Sequence, residues 1–438
     1  MPLEKQRTDR AKVVEALDLI LVMHLIWSVL RWQLDLPGLA NGIGIFLFPV
    51  VEVVAIIYCL ARTDIRFMTP YVFIPVAFHV YMIARHCFNG DIMSHGASDF
   101  YTLAFCLFCM PALKKEELVK RFHVFCLAMF WLSVAVSLLS YISLVFPITD
   151  APTQGGRLQG IMPHPNTLGH SATYGLVFGI GAFLLVPSSR AFLAAIVVDA
   201  LLTVKVLIDS QSRASMLFLA FTFILLAAGY FAYWRKALPR WASRFILALI
   251  ILVVIAVVAC FLVFAVSDAF RNFMLDTLRI PHEDSHSTME ILSSLSSSFA
   301  DASNRDELRR LTIEHWKDNV VFGVSTKAAI VGFPADISDN SGSHNSFLQI
   351  LATLGIIGFI LFVGMYLSSL LFLLKAAFTS RDGGLRTISI FSSAMLVTIA
   401  FDSNYENLLY LSLAMMVLAA YFLLMTGFQI ANLTKRDR

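Results

Sequence analysis

The stretch FILALIILVVIAVVACFLVFAV, from Phe245 to Val266, contains no charged side chain. An α-helix rises about 1.5 Å per residue, so a run of this length spans about 30 Å, the thickness of the hydrocarbon core of a bilayer. This stretch therefore predicts a membrane-spanning helix, and the rest of the chain repeats the same pattern.

The composition of the whole chain is that of a membrane protein. Of its 438 residues, 58% are hydrophobic and 14% are charged, and the mean hydropathy is +0.75, whereas soluble domains carry about 25% charged residues. The 33 Lys and Arg nearly balance the 30 Asp and Glu, which disfavours a nucleic-acid partner. The six cysteines lie mostly in apolar runs, so neither a disulfide framework nor a four-thiolate zinc site is expected.

Twelve segments are long and apolar enough to cross the membrane as helices, the form in which a chain can satisfy its own backbone hydrogen bonds in lipid. We therefore expect an all-α polytopic membrane protein with a single transmembrane domain over residues 1–438. The predicted spans are 14–30, 39–60, 68–84, 97–113, 121–146, 168–186, 190–207, 214–233, 243–267, 345–374, 386–401 and 407–430.

The distribution of positive charge predicts the orientation. Most of the 33 Lys and Arg fall before the first span or in connections on that same side of the membrane, which the positive-inside rule makes the cytoplasmic side. Both termini are then cytoplasmic, and the long loop 268–343 lies outside. A loop of this length is usually functional.

Within this loop, the pair Asn304 and Glu307 forms a helix-capping signature. It predicts an amphipathic helix that lies on the outer membrane surface or on the bundle. The side chains expected on its apolar face are Leu308, Leu311, His315 and Trp316.

Polar residues gather at the predicted outer ends of the spans. They occur around Arg157 and Asn166, at 209–213, at Asn304-Arg305 and at 344–346. Charged groups near lipid cost a few kcal/mol, about 3 at the centre of a span, and often mark function. These segments are therefore the candidate site.

The stretch HNSFLQILATLGIIG, which begins with His344 and Asn345 and continues to Gly355 and Gly358, resembles the bacterial O-antigen ligase and polymerase superfamily. Members of that superfamily share a His-Asn…Gly-x-x-Gly pattern at the start of the helix after the large periplasmic loop. The motif order fits the chain from about residue 150 to its end, and the predicted topology fits the whole chain. Further matching motifs are Ser212-Arg213, Gly160 with Pro165-Asn166, and Asn304-Arg305 followed by Trp316 and Phe322-Gly323-Val324.

The resemblance implies an integral-membrane glycosyltransferase with a GT-C-like architecture in the bacterial inner membrane, its large loop periplasmic. The implied donor is a glycan linked to undecaprenyl pyrophosphate, and the acceptor is a lipid-linked or carrier-linked sugar. The bilayer lipids surround the bundle. The implied reaction is a single displacement with inversion at the anomeric carbon.

The candidate residues suit that chemistry. Arginine binds phosphate oxygens in pairs and stays charged near lipid, so Arg213, Arg305 and Arg157 are the expected pyrophosphate ligands. Histidine titrates near working pH, which makes His344 the expected catalytic general base. No acidic pair that would demand Mg²⁺ is evident, so we expect neither a metal nor another cofactor. Supporting roles fall to Asn345, Asn166, Gly355 and Gly358.

Each candidate residue also has a structural interpretation. His344 and Asn166 can each act as helix caps, Arg213 can extend towards the interface, and Arg157 can be solvated. Which of Arg305, Arg309 and Arg310 faces the site is left open.

Other polar residues carry weaker functional interpretations. His282 and His286 are spaced like metal ligands but lack a third ligand at a set spacing. Asp402 and Glu406 are either ligands for sugar hydroxyls or ordinary loop acids. Intramembrane Glu52, Asp199 and Lys205 are expected to pair within the bundle or lie near its ends.

Four functional alternatives remain. A ligase transfers a finished polysaccharide to a lipid acceptor such as lipid A–core, whereas a polymerase transfers the growing chain to the next carrier-linked repeat unit. The intact His-Asn and Gly-x-x-Gly spacing favours the ligase. A transporter is disfavoured because no half-to-half similarity is visible, and a non-catalytic scaffold is the last alternative.

Overall fold

Helices make up nearly all of the regular structure in the part of the chain that can be described. The computed structural model describes residues 73–89, 114–146, 148–149, 152–187, 189–267, 272, 274–275, 277, 305–324, 343–404 and 415–436. The predicted spans 14–30, 39–60 and 97–113 lie outside these residues, as do Glu52, His282, His286 and Glu406.

The described elements are helices and one short β-hairpin. In chain order they are α1 Phe73–Asn89, α2 Lys115–Ile142, β1 Thr153–Gln154, β2 Arg157–Leu158, α3 Pro165–Leu185, α4 Arg190–Ser210, α5 Arg213–Gly229, α6 Arg240–Val266, α7 Arg305–Lys317, α8 Ser346–Thr379, α9 Gly383–Asp402 and α10 Met415–Arg436. A π-helical turn, Tyr230–Trp234, and a short end, Arg235–Ala237, continue α5.

Eight of the described helices are long and apolar enough to cross a membrane. Each overlaps one of the predicted spans, and α1 overlaps the predicted span 68–84. The predicted fold class, an all-α polytopic membrane protein, is confirmed. Twelve crossings stays a prediction, because the remaining spans are not described.

Helix α3 lies at the centre of the bundle and packs against α2, α4, α5 and α9. Its aromatic side chains show this arrangement. Tyr174 stacks on Phe218 of α5 with ring centroids 4.5 Å apart, while Phe178 meets Phe125 of α2 and Phe391 of α9 edge-on. Offset and edge contacts of this kind stabilise aromatic pairs by about 1 kcal/mol beyond burial.

Polar contacts concentrate at one end of the bundle, where α2, α4 and α9 finish and α3, α5 and α8 begin. We call this region the polar end. The described part of the opposite helix ends is tied together differently, by the aromatic turn after α5: the Trp234 indole donates to Thr387 at 3.3 Å, and the Arg386 guanidinium lies over the Tyr233 ring.

Candidate functional site

The Arg157 side chain links a β-hairpin to the end of α4 and the start of α3 at the polar end. The strands β1 and β2 are antiparallel, with Gln154 opposite Arg157. Gly155 and Gly156 form the two-residue turn between them, and both have positive φ, which matches the turn to the right-handed twist of the strands. The Arg157 guanidinium donates from Nε to the Ser210 carbonyl at 2.8 Å and from Nη2 to Asn166 Oδ1 at 2.7 Å.

These bonds give Arg157 a defined place. The Ser210 carbonyl belongs to the last turn of α4, where helix carbonyls lack intrahelical donors and positive charge is favourable. The side chain is half-buried. The interpretation of Arg157 as a merely solvated loop residue is therefore wrong.

Arg213 opens α5 directly after a tight turn. Gln211 ends α4 in the left-handed region, with φ 48°, and Ser212 precedes the first residue of α5. The same turn contacts Arg157, whose Nη2 lies 3.5 Å from the Gln211 carbonyl. Arg157 and Arg213 therefore flank one connection, and Arg213 is half-buried there.

The first turn of α3 departs from one expectation. Asn166 does not cap α3, because the cap is His164, whose Nδ1 accepts from the Asn166 backbone N–H at 3.1 Å. Pro165 occupies the first helical position, where its missing N–H costs nothing. The Asn166 side chain is thereby available to accept from Arg157.

A buried histidine–carboxylate pair lies one turn further along α3. His170 Nε2 is 2.7 Å from Asp402 Oδ2 of α9, and both side chains are 2% exposed. His170 Nδ1 is 2.9 Å from Ser215 Oγ of α5 and 2.8 Å from the Asn166 carbonyl. The pair therefore joins α3, α5 and α9 in one hydrogen-bonded network.

The network continues from α5 towards Arg213 and from α9 towards the His344–Asn345 turn. Ser215 Oγ is 2.7 Å from Ser212 Oγ, beside Arg213. After Asp402, the Ser403 carbonyl accepts from the Ser346 backbone N–H at 2.8 Å, and Asn404 Oδ1 lies 3.4 Å from Asn345 Nδ2. A series of contacts, continued along the backbone from Asp402 to Asn404, thus runs from Arg157 to the His344–Asn345 turn.

The His344 turn has a special backbone. His344 has φ 47°, a left-handed conformation that non-glycine residues rarely adopt and that costs about 1 to 3 kcal/mol. Asn345 then caps α8, its side chain accepting from the Leu348 N–H at 3.0 Å. Ser343 Oγ donates to the Asn345 carbonyl at 2.8 Å. The cap of α8 is therefore Asn345, which leaves the half-buried His344 imidazole outside the helix.

Helix α8 is broken at Gly355, which has φ 67° and ψ −173°. The turn that follows α7 enters this break: the Val324 N–H donates to the Ala352 carbonyl at 2.8 Å, and the Ile356 N–H donates to the Val320 carbonyl at 3.0 Å. Gly358 faces α1, since a Cβ there would lie 2.9 Å from the Tyr81 ring.

Helix α7 confirms the amphipathic helix expected from Asn304 and Glu307, although residue 304 itself is not described. Leu308 and Thr312 are buried, at 3% and 0% exposed, so α7 lies against the bundle. Arg305 is its first residue.

The three arginines of α7 differ in their surroundings. Arg309 Nη2 donates to the Asn404 carbonyl at 2.6 Å and is half-buried. Arg310 is exposed and pairs with Glu307 and Glu314, each at 2.6 Å. The hydrogen bond from Arg310 lowers the pKa of Glu307. Arg309 therefore faces the polar end, and Arg310 faces away from it.

Two acids singled out from the sequence, Asp402 and Asp199, lie in environments other than those expected. Asp402 is buried against His170 and does not line an open mouth. Lys205 pairs with Asp209, one turn later on α4, at 2.7 Å, whereas Asp199 is buried and its Oδ2 has no hydrogen-bond partner within the described residues.

Sequence reasoning missed His170, Ser215 and Asn404. A signal for His170 was present: it follows Asn166 by four residues, and positions four apart share a helix face. Polar residues on one face of an intramembrane helix mark a buried polar contact. The partner Asp402 is 232 residues away along the chain, so no local pattern links the two.

The fold and the polar end together define a polytopic membrane protein with a polar, arginine- and histidine-bearing region at one end of its bundle. Residues 198–363, from α4 into α8, match the family model described as O-antigen ligase. The resemblance of the chain to the O-antigen ligase superfamily is therefore confirmed, and the match supports O-antigen ligase or polymerase-type activity in general terms.

No curated protein matches the chain. The family match includes Arg213, Arg305, His344, Asn345, Gly355 and Gly358, whereas Arg157, Asn166, His170 and Asp402 lie outside it.

Proposed function

We propose that this protein is an O-antigen ligase-type glycosyltransferase of the bacterial inner membrane. In this proposal it moves a glycan from undecaprenyl pyrophosphate to an acceptor hydroxyl, on lipid A–core or a similar lipid, at the periplasmic side. The product belongs to lipopolysaccharide or a related surface polysaccharide, including exopolysaccharide.

One observation carries the proposal: the series of contacts from Arg157 through Asn166, His170 and Asp402 to the His344–Asn345 turn. It links the segment that carries Arg157 to the turn that carries His344, at one end of a membrane bundle. Transfer from a pyrophosphate carrier needs both kinds of group, one for the leaving charge and one for the acceptor proton.

The proposed reaction is a single inverting displacement. The acceptor oxygen attacks the anomeric carbon while the bond from that carbon to the phosphate oxygen breaks, and undecaprenyl pyrophosphate leaves with the bonding electron pair. His344 takes the proton of the acceptor hydroxyl. Arg213, Arg305 and Arg157 stabilise the charge that develops on the pyrophosphate.

Within this scheme, Asn345 and Asn166 are supporting residues. Asn345 fixes the start of α8 beside His344, and Asn166 fixes the Arg157 guanidinium. Gly355 and Gly358 support the site by shaping α8, since Gly355 interrupts the helix and Gly358 allows it to pack closely against Tyr81 of α1. Guanidinium groups supply the charge stabilisation that a divalent metal supplies in other transferases, so the proposed reaction is metal-independent.

The main test compares substitutions at His344 and Arg213. His344→Asn keeps a residue type that tolerates the left-handed backbone, so the protein should reach the membrane normally but transfer no glycan. Arg213→Lys should lower activity about 10- to 100-fold, because an ammonium cannot form the paired bonds of a guanidinium. Gel analysis of surface glycans and assay with purified lipid-linked donor measure both effects.

Lys205→Arg is a suitable control, since Lys205 is an exposed cation near the end of α4 and its replacement should preserve activity. Normal product from His344→Asn and His344→Ala would remove His344 from the mechanism. Loss of activity on addition of chelator, with rescue by Mg²⁺, would contradict the metal-independent scheme.

The polymerase alternative shares this chemistry, and a gene deletion separates the two. Full-length polymer stranded on its carrier indicates a ligase. An acceptor capped with a single repeat unit indicates a polymerase. Unchanged glycans with loss of a solute flux would indicate a transporter instead.

A further inference from the structure

The break in α8 exposes backbone groups that a membrane helix must satisfy elsewhere. Gly355 interrupts the helix between its first turns, 346–354, and the remainder, 356–379. At such an interruption, carbonyls before the break and N–H groups after it lose their intrahelical partners. In a bilayer, non-helical backbone is tolerated only where other protein groups or water satisfy it.

The turn after α7 supplies partners for three of these backbone groups. Its Val324 N–H donates to the Ala352 carbonyl at 2.8 Å, and its Val320 and Val321 carbonyls accept from the Ile356 and Ile357 N–H groups at 3.0 and 3.4 Å. From α1, the Tyr81 hydroxyl donates to the Leu354 carbonyl at 2.9 Å.

The two backbones meet at a pair of glycines, Gly323 and Gly355, which we call the glycine crossing. A Cβ at Gly355 would lie 2.2 Å from the Val321 carbonyl oxygen, and a Cβ at Gly323 would lie 2.4 Å from the Gly355 nitrogen. Both obstructing atoms are backbone, so no side-chain rotation relieves the overlap. Both glycines also have positive φ, 74° and 67°, which disfavours any other residue.

The crossing is also held from α1. The Arg85 guanidinium donates to the Gly323 carbonyl at 2.9 Å and lies 5.7 Å from the centre of the Phe322 ring. The turn is therefore fixed against both α1 and α8.

The crossing lies between two segments that the proposed mechanism needs together. Helix α7, with Arg305 and Arg309, ends directly before the turn, and the first turns of α8 begin directly after His344 and Asn345. Because the turn after α7 meets α8 at the glycine crossing, the position of α7 relative to residues 346–354 of α8 depends on that crossing.

We propose that Gly323 and Gly355 are positioning residues whose crossing holds α7 against the His344 end of α8. The catalytic consequence of this inference rests on the proposed function, in which Arg305 of α7 binds the donor pyrophosphate. Opening the crossing would separate the α7 arginines from His344 without removing either of them.

The experiment compares Gly323→Ala and Gly355→Ala with Gly364→Ala in full-length protein in detergent. Gly364 lies in the same helix α8, and a Cβ there meets nothing within 4 Å, so its replacement is a matched control. Hydrogen exchange by mass spectrometry should be faster in peptides covering 305–324 and 346–357 of the two crossing variants. Exchange in α9, 383–402, should match the wild type.

The kinetic readout uses purified lipid-linked donor. The crossing variants should raise the donor KM about ten-fold or more, with little change in the acceptor KM, because α7 moves and the rest of the bundle stays. A loss of folded protein would lower only the active fraction and leave KM unchanged. Gly364→Ala should match the wild type in both parameters.

Tyr81→Phe is the milder variant, since it removes only the hydroxyl that bonds to the Leu354 carbonyl. It decides the matter should either alanine variant fail to accumulate: faster exchange confined to 305–324 and 346–357 supports the proposal. Wild-type exchange in Tyr81→Phe together with loss of the alanine variants overturns it, as does an unchanged donor KM in folded crossing variants. Normal transfer by His344→Asn would instead overturn the proposed function, while the exchange result still judges the crossing.

Discussion

The His170–Asp402 pair shows how single residues support the polar end. Both side chains are buried, and the contact between them joins α3 to α9 at 2.7 Å. A buried carboxylate that loses its partner costs about 3 to 5 kcal/mol, whereas an imidazole that loses one hydrogen bond costs about 1 to 3 kcal/mol. The two halves of the pair are therefore unequal.

We expect His170→Ala to destabilise the protein more than Asp402→Ala does, because it leaves a buried carboxylate with one fewer partner. The double substitution should be less destabilising than the two single effects added together, since the contact can be lost only once. Thermal unfolding in detergent measures all three variants.

Glu314→Ala serves as the reference for this cycle. Glu314 belongs to an exposed pair with Arg310, and exposed pairs contribute little, so no measurable shift in Tm is expected. Strict additivity of the His170 and Asp402 effects would show that the contact contributes nothing to stability.

At the residue scale, sequence reasoning reached the segments of the candidate site but not its connections. Arg157, Arg213 and His344 stand out because charge and imidazole near lipid need a reason. The contacts of Arg157 depend on Asn166 and Ser210, which lie on different helices and are brought together by helix packing. His164, and not Asn166, caps α3 because Pro165 occupies the first helical position. The sequence contains this cue.

At the scale of the element, α8 combines a cap, a break and an apolar body. Asn345 caps its first turn by accepting from the Leu348 N–H, and the same residue touches Asn404 beyond α9. The cap therefore fixes both the start of the helix and its place against α9.

Asn345→Ala should lower stability by about 1 kcal/mol through loss of the cap and should also lower transfer activity, because His344 directly precedes it. Asn345→Ser retains a capping oxygen and should restore most of the stability. Chemical unfolding and the glycan transfer assay are the measurements. Equal stability of the two variants would argue that the cap contributes nothing.

Element boundaries were predictable where apolar runs end at charged or turn residues, as for α4 and α9. The break of α8 was not, because a single glycine in an apolar helical pattern is usually tolerated without interruption. Gly355 breaks the helix only because the turn at Val320–Val324 satisfies the exposed backbone groups. That turn is a tertiary partner, and local sequence does not reveal it.

At the scale of the whole molecule, the distribution of Lys and Arg predicts that both termini face the cytoplasm and that loop 268–343 faces the periplasm. An alkaline phosphatase fusion after residue 290 should therefore be active, and a green fluorescent protein fusion after Lys435 should fluoresce. The opposite pattern would reverse the orientation and place the polar end on the cytoplasmic side, where the proposed donor glycan is not presented.

The partners of the His170–Asp402 contact also bear on how the chain enters the membrane during synthesis. Helices α3 and α9, which contribute one residue each, are the two least apolar of the eight membrane-length helices, and α6 is the most apolar. Asp402 emerges from the ribosome 232 residues after His170, so α3 must wait beside the translocon or its neighbouring helices before its imidazole meets the carboxylate. The centre of the bundle is thus completed among the last steps of insertion.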